Sequence, residues 1–268
     1  MFHVLQRKPL KIGSTTSRLR FESDIGPVGV GSRFLLLDGK RAYDLGINCQ
    51  TCATLFQRLP GANQSLKIQE TAEALRRVVQ SLDEEVVSTV ALGLPEDEYI
   101  GALGDTSLLL VQPGDQNDYF LMEETALWGE DTFWCLPHDP RVPYYRAGQW
   151  EMGERRRLFN FVVPMYPAKW LTMGTVSEYV RKQETEGTGT AVAISILDVK
   201  GPADWVGVEP HGPLEHWLLT HYLLDGHHKL HAAQLSGKPL RLLSFIAISQ
   251  GVSTGEQVEE VLKLLSGA

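Results

Sequence analysis

An apolar run, WLLTHYLL (Trp217 to Leu224), passes straight into an alanine-rich stretch, HHKLHAAQL, through Asp225, Gly226, His227, His228 and Lys229. The run reads as a strand and the alanine-rich stretch as a helix. Nothing else in the chain constrains its fold as tightly, because strand and helix must meet at one short polar junction. Around it lie a strand at LFNFVVPM, a helix opened by the capping box Thr175-x-x-Glu178, and a strand at AVAISIL. A strand at LRLLSFIAI follows, then a terminal helix opened by Thr254-x-x-Gln257 and ending near Ser266 and Gly267.

The first half is expected to be rich in strand. RFLLLDGKRAYDL carries Asp38-Gly39 between two strand-like segments, the signal of a tight hairpin. IQETAEALRRVVQSL has apolar residues at helical spacing, whereas VVSTVALGL, SLLLVQP and DYFLMEE read as short strands. Glycines and a charge run in RAGQWEMGERRR place a boundary near Gly148, giving a β-rich domain over 1–148 and a second domain over 149–268. With 268 residues, 43% of them hydrophobic, the chain is long enough to bury a normal core.

A formal net charge of −8 argues against broad, sequence-independent affinity for nucleic acid, which requires many phosphates to be neutralised. The N-terminus MFHVLQRKPLKIG lacks the apolar core of a secretory signal, and no apolar run is long enough to span a bilayer. The expected location is the cytoplasm, with no membrane partner.

The first N–H groups of a helix have no partners within it, and the helix dipole favours an anion there. Asp225 suits an N-cap, Gly226 lets backbone approach a ligand, and His227, His228 and Lys229 supply donors, a set suited to phosphate. The same residues also describe a capped helix with surface histidines.

This junction and the order of elements around it resemble the ParB/sulfiredoxin-like fold, over roughly the last 110 residues. The resemblance implies an α/β (α+β) chain: a β-rich N-terminal domain plus a ParB/sulfiredoxin-like C-terminal domain. It also implies that Gly226, His227, His228 and Lys229 hold phosphate groups of a nucleotide or a phosphorylated small molecule. The sulfiredoxin branch uses a cysteine where this chain has His227 and His228. The chromosome-partitioning branch carries an arginine-rich motif and a DNA-binding helical domain that are missing here. What remains is similar to the small phosphotransferase members, which use a Mg-nucleotide and a carboxylate base. Asp225 and then Glu215 are the first candidates for that base, with His228 as a further catalytic group; Asp198 and Glu209 come after them. A non-catalytic regulatory module that kept the pocket is the alternative.

Six of the eight histidines, His211, His216, His221, His227, His228 and His231, crowd between Val208 and Ala232. His221 shares a strand face with Asp225, and His227 and His231 share a helix face at i, i+4. A divalent metal site, an acid/base pair flanking a phosphate, or a packed set would each fit. Arg155, Arg156 and Arg157 form a basic run able to reach a phosphorylated substrate or to stay solvated. Cys49-x-x-Cys52 and Cys135-x-x-His138 give paired knuckles compatible with a structural Cys3His zinc site, with buried thiols or a redox pair at Cys49 and Cys52 as the competing readings.

Overall fold

The computed structural model describes residues 2–13, 16–27, 29–62, 78–133, 135–140, 142–165, 167–183, 189–202 and 215–267. Twelve strands and five α-helices are defined among the described residues, with short 3-10 turns at Pro60–Ala62 and Ala168–Trp170. The strands are β1 (His3–Ile12), β2 (Leu19–Ile25), β3 (Gly31–Leu37), β4 (Lys40–Ile47), β5 (Gln57–Arg58), β6 (Asp97–Thr106), β7 (Leu109–Val111), β8 (Tyr144–Glu151), β9 (Arg156–Val163), β10 (Thr190–Lys200), β11 (Glu215–Asp225) and β12 (Leu240–Ala247). The helices are α1 (Glu84–Ala91), α2 (Thr125–Trp128, preceded by a π turn over Phe120–Glu124), α3 (Met173–Lys182), α4 (His227–Ser236) and α5 (Gly255–Leu265).

The protein is mixed α/β, with an eight-stranded sheet in the order β1-β6-β12-β10-β11-β9-β8-β7 and a four-stranded sheet in the order β2-β3-β4-β5. Every residue of β10 is buried, as expected of a central strand covered on both faces. One face packs Ile194, Ile196, Leu218, Tyr222 and Phe245 against Leu35, Leu37, Tyr43 and Leu45 of the small sheet. The other packs Ala193, Leu197, Leu219 and Leu242 under Leu230 and Ala233 of α4 and Val258, Val261 and Leu262 of α5. The small sheet, the large sheet and a helical layer are thus stacked in that order. Apolar burial across two such interfaces is the main stabilising term.

The register gathers the junctions at one end of the large sheet. β11 runs parallel to β9, with Tyr222 opposite Val163, and antiparallel to β10, with Val192 opposite Asp225. β12 is parallel to β10. The chain therefore leaves β9 and β11 at the same edge where it enters β10 and β12.

The strands expected at LFNFVVPM, AVAISIL, WLLTHYLL and LRLLSFIAI are present as β9 to β12. Asp38 and Gly39 turn the β3–β4 hairpin with φ of 52° and 74°. Thr254 accepts from the Gln257 N–H and Gln257 bonds back to the Thr254 N–H, so the terminal capping box forms. Three local expectations are corrected. VVSTVALGL is helical over α1, because helical spacing turns Val90 toward the core while Ser88 and Thr89 bond back to the Glu85 carbonyl. DYFLMEE coils into the π turn before α2, because the Asp118 carboxylate accepts from Gly114 N, Phe120 N and the Tyr144 hydroxyl. The helix read at Thr175 begins earlier, at Met173, and Glu178 pairs with Lys182 instead of capping. The helix read in IQETAEALRRVVQSL falls mostly outside the described residues, as do Glu209 and His211. Gly148 lies inside β8, and the large sheet takes β1, β6 and β7 from before it and β9 to β12 from after it, so the two stretches share one sheet. Among the described residues, no helix is long and apolar enough to cross a membrane.

Candidate functional site

Strand β11 ends at Asp225 and α4 begins at once, with Gly226 as its N-cap at φ 97° and no side chain capping the first turn. Asp225, expected to cap, does not; it is half exposed, with its carboxylate 4.0 Å from the Lys229 ammonium. A Cβ at Gly226 would lie 2.6 Å from the Ala191 Cβ and 2.8 Å from its Cα, so both the left-handed backbone and the contact with β10 demand glycine.

Two of the residues after Gly226, His227 and Lys229, turn inward. Lys229 is 4% exposed and donates to the Thr190 carbonyl at 2.7 Å, where β10 begins. Its ammonium is committed to the chain itself, which removes it from the phosphate-binding role expected of it. His227, also 4% exposed, accepts the Met165 N–H at Nε2, 2.8 Å away, just past β9. Burial pushes its pKa down to about 3, with His228 and Arg58 adding to the shift, so the ring is neutral. His228 accepts the Thr172 N–H at 3.1 Å, tying α4 to the start of α3. The junction is thereby the point at which three strand ends and α3 are bound together.

Beside it lies a cavity of about 110 Å³. Tyr145, Pro164, Leu171 and Leu230 contribute apolar walls, while His227 and His231 face it from α4, one turn apart. Arg58 enters from β5. Its Nε donates to the Met165 carbonyl at 2.7 Å, but Nη2 is buried with no hydrogen-bond partner. His231 Nδ1 is buried and unpartnered in the same way. Burial lowers the pKa of both groups. A guanidinium nitrogen left without an acceptor in an apolar wall is costly unless something supplies negative charge. Sequence reasoning missed Arg58, since a lone arginine in FQRLP has no motif around it.

The other expected groups lie elsewhere. Glu215 begins β11, ten residues before Asp225, which at strand rise puts the two proposed bases about 30 Å apart. Its carboxylate accepts from the Trp217 indole at 3.0 Å. Asp198 is consumed by a buried ion pair with Arg33. Arg156 and Arg157 pair with Glu260 and Glu151. His221 bonds to Ser195 in the core at 2.6 Å, and His216 bonds to the Tyr119 hydroxyl at 2.9 Å on the opposite face.

The proposed zinc ligands are not brought together. Cys49 and Cys52 are disulfide-bonded to each other, and Cys135 is free and exposed. His138 Nδ1 lies 3.0 Å from the Thr54 carbonyl oxygen and 3.1 Å from Glu124. Burial disfavours the charged imidazole, but the Glu124 carboxylate and the Thr54 carbonyl outweigh it and hold His138 above its ordinary pKa. Among the described residues, no three His, Cys, Asp or Glu side chains are grouped as a metal site. The set read from spacing does not fit zinc in this geometry, because a disulfide has no thiolate to offer. Compared with known proteins, the chain matches no family model, no curated protein and no solved structure.

Proposed function

We propose that the protein binds a small anionic molecule, bearing a phosphate or carboxylate head on a short apolar body, in the cavity beside α4. The observation that carries this reading is the pair of buried, unpartnered nitrogens, Arg58 Nη2 and His231 Nδ1, on residues that line a cavity whose other described walls are mostly apolar, with Gln112 and His227 as the further polar side chains. An anion there would satisfy Arg58 with a charge-assisted hydrogen bond, and the apolar walls would exclude water and strengthen it. Specific small-molecule sites have this composition, a hydrophobic lining with a few convergent polar groups.

The phosphate-binding role implied by the ParB/sulfiredoxin-like resemblance is kept, at the same strand-to-helix junction but with different donors: Arg58 and His231 take the place of Lys229. A cavity of about 110 Å³ suits a single head group and short body better than a whole nucleotide, since pockets that take drug-sized ligands are roughly 300–1,000 Å³. Binding is therefore proposed without phosphoryl transfer, and the wide separation of Asp225 and Glu215 supports leaving transfer out.

Titration calorimetry with inorganic phosphate, phenyl phosphate and benzoate tests the proposal. At least one should bind saturably at one site per chain, and Arg58→Gln should weaken it roughly 10- to 150-fold, the loss of one hydrogen bond to a charged group. The variant's melting temperature reports that it is folded. Absence of saturable binding by all three probes, or equal affinity in Arg58→Gln, would overturn the reading.

A further inference from the structure

We infer that Cys49 and Cys52 form a redox-active pair that exchanges its disulfide with dithiols, a second site at the opposite end of the large sheet from the cavity. The turn that holds them follows β4 and docks against the end of β10, where Lys200 lies opposite His216 near the start of β11. The pairing closes a ring between cysteines three positions apart, with Cα atoms 5.4 Å apart. Both cysteines are half-buried, so a small dithiol can reach them from solvent.

The turn keeps its shape without help from the sulfur bond. The Lys200 ammonium donates to the carbonyls of Ile47 at 2.7 Å and Cys49 at 3.1 Å. Gly201 N donates to the Gln50 carbonyl at 2.9 Å, the Trp128 indole donates to the Thr51 carbonyl at 3.4 Å, and Thr54 N donates to Glu124 at 2.9 Å. Five hydrogen bonds thus anchor the segment on both sides of the pair. A short ring also constrains the unfolded chain less than a long one, so opening it forfeits little stability. Two thiols held within bonding reach by an independently anchored turn re-close readily. A purely structural disulfide would instead join distant segments that nothing else ties together.

The exchange balances with a dithiol as co-reactant. A substrate thiolate attacks one sulfur of the Cys49–Cys52 bond, forming a mixed disulfide and releasing the other sulfur as a thiolate that takes up a proton. The second substrate thiol, losing its proton, then displaces the bound protein sulfur, which is protonated in turn. Two electrons and two protons pass from the dithiol, which leaves as a disulfide, to the protein, which is left with two thiols.

The test equilibrates Cys135→Ser protein in graded mixtures of oxidised and reduced dithiothreitol, followed by acid quenching and thiol counting with a maleimide. The expected result is one transition from zero to two thiols per chain in folded protein, with unchanged circular dichroism at both ends. Wild-type protein should run from one thiol to three across the same mixtures, which covers any defect of the variant. Failure of the pair to close in fully oxidised dithiothreitol overturns the inference. Opening that occurs only together with loss of the folded spectrum overturns it equally.

Discussion

Asp198→Ala is expected to destabilise the folded protein by about 3–5 kcal/mol, the usual result of removing one partner of a buried ion pair. Arg33 on β3 of the small sheet and Asp198 on β10 of the large sheet are 4% and 5% exposed. They meet in a two-pronged contact, Nη1 to Oδ1 at 3.0 Å and Nη2 to Oδ2 at 2.6 Å. The same guanidinium donates to the carbonyls of Leu45, Gly46 and Gln250, and the carboxylate also accepts from Val252 N. Burial works against the charged guanidinium, but Asp198 outweighs it and raises its pKa. Without Asp198 the carbonyls still accept hydrogen bonds, but no negative charge answers the buried cation. Urea unfolding at constant m-value measures the loss directly. A change below about 1 kcal/mol would mean that the small sheet does not depend on this contact to dock. The double variant Arg33→Met with Asp198→Leu should recover much of the loss, since well-packed apolar replacements of buried ion pairs are often tolerated.

Gly226→Ala carries the second large effect. A non-glycine residue in the left-handed region costs roughly 1–3 kcal/mol, and forcing a methyl group to within 2.6 Å of Ala191 adds overpacking of similar size. A loss of about 3–4 kcal/mol follows, read from the same urea transitions. Asp225→Ala should cost under about 1 kcal/mol, because its half-exposed carboxylate caps nothing and stands 4.0 Å from the buried Lys229 ammonium, which keeps its bond to the Thr190 carbonyl. Reversed magnitudes, with Asp225 costly and Gly226 neutral, would restore Asp225 as the cap and contradict the geometry of the junction.

These two variants also mark where sequence reasoning reached and where it stopped. Strands β9 to β12 were legible because they are nearly continuous apolar runs, and α5 because its capping box is local, written within Thr254 to Gln257. The strand-to-helix junction was legible for the same reason. What Lys229 does there was not: its acceptor, the Thr190 carbonyl, is 39 positions away, and only the antiparallel pairing of β10 with β11 brings it near. DYFLMEE misled because Asp118 is satisfied by Tyr144, 26 positions on. VVSTVALGL misled because β-branched residues carry strand preference, yet the stretch is helical in α1 and turns Val90 toward the core. Arg58 had no local signature, since its importance comes from the apolar cavity around it rather than from its neighbours in sequence. The two cysteine knuckles matched a spacing pattern, but spacing cannot say whether Cys49 and Cys52 turn toward Cys135 and His138 or toward each other.

The proposed seat of an anion against Arg58 and His231 beside α4 is tested most directly by crystals grown with phenyl phosphate or benzoate. The head group is expected within hydrogen-bond distance of Arg58 Nη2 and His231 Nδ1, its ring against Leu171 and Leu230, with Lys229 still bonded to the Thr190 carbonyl. A head group held instead by Lys229 and the first turn of α4, or a cavity that stays without ligand at saturating probe, would contradict it.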